Sequence, residues 1–195
     1  QIIPNLEVPL MSVVEISNSG MCNRKCSFCP RSDPDYLDIN EFIAKDLHTK
    51  IFSELSDLNY KGMVIYSGYV EPLLDKKIYN SIAEARKFLP EAQIEIITNG
   101  DVLNLKRLIK LFESGLSTLL ISVYDGPKEE EKFYQLCKEA NLKPSQYVIR
   151  NRYKSSEENF GINLSNRSGT LKNAEYSIQP LTKSLQAQCN YPAYT

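Results

Sequence analysis

The chain has 195 residues, 42% of them hydrophobic, and 23 Lys and Arg against 24 Asp and Glu. That apolar content excludes a disordered chain, and the length suits one sizeable core with a small appendage. A net charge of −1 gives no global pull toward nucleic acid or an anionic membrane surface, so neither partner is expected. No apolar run approaches the roughly 20 residues of a membrane helix. Ile2-Ile3-Pro4-Asn5-Leu6-Glu7 lacks the basic start and continuous apolar stretch of a signal peptide. The five cysteines are odd in number, and three are crowded together. A secreted disulfide framework would be even and spread out, so a reducing cytoplasm is expected.

Strand and helix patterns alternate along the chain. Ser12–Ser17 reads as a short strand. A helix is expected from about Asn40 to Leu58, with Ile43, Leu47, Ile51, Leu55 and Leu58 on one face and Asp38 or Asn40 as its cap. Met63–Ser67 is the next strand. Asp75–Leu89 reads as a helix with Ile78, Ile82, Ala85 and Leu89 inward, and Pro90 follows it. Ile94–Thr98 is a third strand, Leu105–Ser114 a helix stopped by Gly115, and Thr118–Val123 a fourth strand. Pro127 suits the first turn of a helix running to Ala140, and Gln146–Arg150 is a fifth strand. Ser155–Asn159 reads as a polar loop and Phe160–Ser165 as a short sixth strand. Strand and helix in this alternation mean βαβ units and a parallel sheet, either open or closed toward a barrel.

Three cysteines stand in eight residues, Cys22-x-x-x-Cys26-x-x-Cys29, just after the first strand. Close cysteines in a cytosolic enzyme bind metal more often than they pair. Structural zinc would want a fourth ligand at ligand spacing. His48, the lone histidine, falls inside a helical pattern and reads as a solvated residue; Cys137 sits among Phe133, Leu136 and Ala140 and reads as a core thiol. An iron–sulfur cubane usually takes four cysteines, so three leave one iron open for a ligand. The adjacent Arg24-Lys25 pair is expected to favour the thiolates. Ser67-Gly68-Tyr69-Val70-Glu71-Pro72 then places a glycine and a carboxylate at a strand's C-terminal end, where they suit a ligand ammonium.

Cys-x-x-x-Cys-x-aromatic-Cys after a first strand resembles the signature of the radical S-adenosylmethionine (radical SAM) superfamily. The resemblance implies a [4Fe–4S] cluster on Cys22, Cys26 and Cys29, with SAM on the open iron. Reductive cleavage to a 5′-deoxyadenosyl radical would then begin hydrogen abstraction from substrate. It places the backbone of Phe28 near the adenine. Gly68, Tyr69, Val70 and Glu71 resemble the family's Gly-Gly-Glu motif, which binds the SAM amino group, with Tyr69-Val70-Glu71 replacing Gly-Gly-Glu. Thr98-Asn99-Gly100 resembles the motif after the third strand. Ser122 and Tyr124-Asp125 fall where the family contacts the ribose and carboxylate, and Arg150 is expected to pair with the SAM carboxylate.

The implied fold is an α/β class, a partial (β/α)6 TIM-like barrel over residues 12–165, with an N-terminal lead 1–11 and a C-terminal extension 166–195. That extension, through Asn166–Leu171 and Cys189-Asn190-Tyr191-Pro192, resembles the entry into a SPASM or twitch domain. The resemblance implies a longer enzyme and makes Cys189 an auxiliary-cluster ligand. It also implies an external one-electron reductant of flavodoxin or ferredoxin type, and a peptide or protein substrate, with sugars and small metabolites remaining open. The alternatives are a non-catalytic iron–sulfur electron carrier and a zinc-stabilised binding module; the first needs four cysteines per cluster and the second a fourth ligand.

Overall fold

The computed structural model describes residues 2–3 and 10–161. A short antiparallel pair, β1 (Ile2–Ile3) and β2 (Leu10–Met11), precedes a five-stranded sheet. The sheet contains β3 (Val13–Ile16), β4 (Met63–Tyr66), β5 (Gln93–Thr98), β6 (Thr118–Val123) and β7 (Tyr147–Asn151). Its spatial order follows the chain, and every neighbouring pair is parallel. Helices α1 (Lys45–Asp57), α2 (Ile78–Phe88), α3 (Leu105–Glu113) and α4 (Pro127–Glu139) connect successive strands. Parallel neighbours need such crossovers, and sequential order in one sheet curves it toward a partial barrel.

Burial follows the pattern. β6 shows no in–out alternation, and all six of its residues, Thr118 and Ser122 included, are buried, as expected when both faces are covered. Ile78, Ile82, Ala85 and Leu89 pack inward from α2 as their spacing predicts. Gly115, at φ +103°, ends α3 in a conformation that favours glycine. Cys137 is fully buried in α4, a core thiol as expected.

Three expectations fail. Residues 40–44 do not join α1. Ser19 and Phe42 form a β-bridge, Ile43 N donates to Asn18 O at 2.9 Å, and Gly20 N donates to Glu41 O at 2.9 Å. Pairing with the chain after β3 outcompetes the helical periodicity there, so Ala44 caps α1 with no side-chain bond and neither Asp38 nor Asn40 serves. The buried face of α1 is accordingly His48, Phe52 and Leu55, and Leu47 and Leu58 are about half exposed (50% and 47%). His48 is the second correction: it is buried between α1, α2 and β4, with Nδ1 2.6 Å from Glu84 Oε2 and Nε2 2.9 Å from the Tyr66 hydroxyl. Third, Ser156–Gly161 form a 3-10 turn, so Phe160 and Gly161 do not begin a sixth strand. The remainder of that expected strand, Ile162–Ser165, lies outside the described residues, as does the whole 166–195 extension with Cys189.

Candidate cofactor site

A cavity of about 640 Å³ opens at the C-terminal ends of the strands, the face where parallel barrels carry their chemistry. Cys22, Cys26, Cys29, Phe28, Gly68, Tyr69, Val70, Glu71, Asn99, Ser122 and Arg150 all line it. Cys189 lies outside the described residues.

The cysteine loop leaves β3 and crosses the mouth without regular structure until the 3-10 turn Pro30–Ser32. Polar ties hold it. Arg24 donates to Asp101 (Nε to Oδ2, 2.7 Å) and to Asp125 (Nη2 to Oδ2, 2.8 Å), with Glu129 3.7 Å away. Its guanidinium also lies 4.8 Å from the Tyr124 ring centre. Asn99 Nδ2 donates to Asn23 Oδ1 at 2.8 Å and sits 4.0 Å from Cys22 Sγ. The loop is thereby fastened to the ends of β5 and β6.

The same ties limit the role expected of Arg24-Lys25: the Arg24 charge still favours the Cys26 thiolate, but by less than burial opposes it. Arg24 is spent on carboxylates, and Lys25 Nζ faces Asp38 at 3.7 Å. Burial pushes the Cys22 thiol up, against a hydrogen bond from Arg24 N. Burial, with Cys29 and Cys22 beside it, pushes Cys26 up to about 11. Desolvation outweighs the nearby cation, so metal entry must displace protons.

The turn after β4 forms the opposite wall. Gly68 takes φ +116°, and a Cβ there would meet Ser17 Oγ at 2.4 Å. Glu71 N donates to Met21 O at 2.7 Å, joining this turn to the start of the cysteine loop. Glu71 itself is 1% exposed. Its carboxylate accepts from Leu73 N (3.0 Å), Thr98 Oγ1 (2.6 Å) and Asn99 N (2.7 Å). Burial raises its carboxyl above the ordinary range, and the three donors oppose that shift.

Toward β6 and β7, Ser122 is buried and Arg150 stands beside it in register. Arg150 also lies close enough to Glu95 to favour the charge of that carboxylate, whose pKa burial raises. The Phe28 ring lies between Tyr124 (centroids 6.3 Å, planes 13° apart) and Phe160 (5.1 Å).

Sequence reasoning missed Arg31 and Glu15. Arg31, 4% exposed, donates through Nη1 to Gly20 O (3.0 Å) and Tyr69 O (3.1 Å) and through Nη2 to Asp38. It braces the cysteine loop against the turn after β4. No local pattern announces a residue whose partners lie 11 and 38 positions away. Glu15 was findable: it is a charge inside a β-rich run, on the strand face opposite the buried Ile16.

The donor set suits an iron–sulfur group. Soft thiols converge on one half-buried cavity, no fourth cysteine joins them among the described residues, and Cys137 is buried in α4. The acidic trio Asp101, Asp125 and Glu129, whose ligand atoms lie within 4.8 Å of one another, surrounds Arg24.

A three-thiol loop across the mouth of a partial parallel barrel defines a radical SAM core, and the chain belongs to the radical SAM superfamily, whose model matches residues 16–155. Among individual proteins, it is 29% identical over 165 residues to the S-adenosyl-L-methionine-dependent 2-deoxy-scyllo-inosamine dehydrogenase of Niallia circulans, covering 84% of this chain and 62% of that protein. A GTP 3′,8-cyclase of Staphylococcus haemolyticus is 30% identical over 115 residues, 56% of this chain and 33% of the cyclase. The structure of BtrN in complex with AdoMet and 2-DOIA superposes with a TM-score of 0.70 at 29% identity, covering 84% of this chain and 63% of BtrN. BtrN in an open conformation gives 0.57 at 27% identity, over 72% and 56%. The chain thus spans somewhat under two thirds of the dehydrogenase and of BtrN. No described helix is long and apolar enough to cross a membrane.

Proposed function

We propose that this chain is the core of a radical SAM enzyme that removes hydrogen from a small, polar, hydroxylated substrate. The convergence of Cys22, Cys26 and Cys29 on the same cavity as the Gly68–Glu71 turn carries the reading. When bound, a [4Fe–4S] cluster and SAM supply the carbon-centred radical that abstracts hydrogen from an unactivated C–H bond.

The chain's own residues do the rest. Cys22, Cys26 and Cys29 would hold the cluster as thiolates, after losing their protons. The backbone carbonyls of the Gly68–Val70 turn receive the amino group of SAM, held in place by Glu71 and Arg31 behind them. Phe28 and Tyr124 offer aromatic faces to the adenine side, and Ser122 and Arg150 offer a hydroxyl and a guanidinium to the ribose and carboxylate. An external one-electron reductant of flavodoxin or ferredoxin type supplies the electron.

The named relatives act on an aminocyclitol and on GTP, which favours a small polar substrate over a peptide. The peptide expectation rests on the SPASM-like residues around Cys189, outside the described residues.

Anaerobic reconstitution should give the absorbance of a [4Fe–4S] protein, altered on adding SAM, and dithionite should yield 5′-deoxyadenosine. Cys26→Ala should abolish both. Colour and turnover that survive this substitution would overturn the assignment.

A further inference from the structure

Two carboxylates, Glu15 and Glu71, line the cavity, and their surroundings differ. Both oxygens of Glu71 are committed to protein donors and sealed from solvent. Glu15 projects from β3 on the exposed face of the strand. Among the described residues its carboxylate makes no hydrogen bond or ion pair. Its Oε1 lies 3.9 Å from the point that a Cβ on Gly68 would occupy, so it stands beside the bare backbone of the turn after β4. Ser17 Oγ, next along the same face, donates to Ser67 O at 3.1 Å, and its oxygen can still accept.

Among the described residues none of the cations lining the cavity pairs with Glu15: Arg152 donates through Nη1 to Asn151 O (3.2 Å) and Gly161 O (2.7 Å). Arg24 is held by Asp101 and Asp125, and Arg31 by Asp38 and two carbonyls. Arg150 approaches Glu95, one layer deeper. The wall formed by β3 and the turn after β4 therefore carries a carboxylate that no cation pairs with among the described residues, beside backbone carbonyls of which Tyr69 O alone is held by Arg31. Acceptors so arranged match a primary amine, whose N–H groups can be met by a carboxylate, a hydroxyl and a carbonyl.

We propose that Glu15 is the residue that receives a ligand's primary amine in this cavity. The inference rests on the radical SAM reading above. Two ligands of that reading carry such a group: SAM through its α-amine, and an aminocyclitol substrate.

Titration calorimetry on the reconstituted full chain separates them. SAM is titrated alone; 2-deoxy-scyllo-inosamine, and scyllo-inositol as the amine-free control, are titrated with SAM present. Glu15→Gln should weaken one of the two amines roughly tenfold to a hundredfold, the range set by losing a charged hydrogen bond. Glu15→Asp should restore part of that loss, and scyllo-inositol should bind as before. A loss for SAM assigns Glu15 to the cosubstrate; a loss for the inosamine alone assigns it to the substrate. If wild type takes up no inosamine, the SAM titration alone decides. Amine affinities that stay within about twofold in Glu15→Gln overturn the proposal, as does an equal loss for scyllo-inositol. Failure of the radical SAM reading would show separately, as a wild-type protein that forms no iron–sulfur chromophore.

Discussion

Thr98 Oγ1 donates to Glu71 Oε1 at 2.6 Å, and that bond joins the turn after β4 to the end of β5. With Leu73 N and Asn99 N on the same carboxylate, Glu71 is the pin between two strand ends. Removing it strands three buried donors. Glu71→Ala should cost about 3 kcal/mol or more, since each orphaned buried group costs roughly 1–3 kcal/mol. Urea unfolding of the apo protein measures this. SAM affinity of the reconstituted variant should fall while iron content holds; unchanged affinity would remove Glu71 from the site.

Arg24 does for the cysteine loop what Glu71 does for the turn. It has three carboxylates around it, Asp101 and Asp125 at two different strand ends and Glu129 in the first turn of α4. Arg24→Met should leave the far-ultraviolet circular dichroism unchanged and lower the iron and sulfide bound per chain after reconstitution. Asp125→Asn, which removes the most exposed of those partners, should have a smaller effect on the same assay.

Gly100 packs where nothing larger fits. Its φ is +76°, and a Cβ would meet Phe133 Cζ at 2.4 Å. Gly100→Ala should destabilise by roughly 2–4 kcal/mol through backbone strain and overpacking. Adding Phe133→Leu should recover only the packing share, so a double variant at wild-type stability would contradict this account of the site.

Two carboxyls should shape the acid side of the stability profile in opposite directions. Partial burial works against the charge of Glu84, but hydrogen bonds from Thr49 and His48, with the charges of His48 and Lys45, hold its carboxyl below the ordinary value. That contribution is complete above the unfolded-state pKa and disappears as pH falls through the lower folded value. The Glu71 carboxyl is raised by burial, so its contribution is present below the unfolded-state pKa and declines as pH rises through the folded one. Melting temperatures between pH 7 and pH 3 should therefore fall less in Glu84→Gln than in wild type. A variant that loses as much on acidification as wild type would refute the Glu84 linkage.

The strands and the later helices were legible in the sequence because local pattern and tertiary need agree there. β6 reads as a mostly apolar run without alternation because both faces are covered, and α2 shows its buried face at helical spacing. The start of α1 was not legible, because Phe42 and Ile43 are claimed by the chain after β3, a pairing that lies over 20 residues back. His48 misled for a related reason. Its partners Tyr66 and Glu84 come from β4 and α2, and only folding brings them to the ring. The thiol loop announced itself by spacing, but the bracing by Arg31 and the saturation of Glu71 depend on contacts between segments far apart in the chain. A motif can name its ligands without revealing which of its side chains are already occupied.

The all-buried β6 and the polar ties of the cysteine loop differ in how much structure each must break to open. Amides in Thr118–Val123 can exchange with solvent only when the sheet itself comes apart. The segment from Cys22 to Cys29 has no strand or helix hydrogen bonds, and its ties to the strand ends run through a few side chains. It can swing outward while the sheet stays whole. Hydrogen exchange should therefore separate the two into an early and a late population, and the metal can be installed or lost through a local excursion that leaves the strands that bear the rest of the site in place.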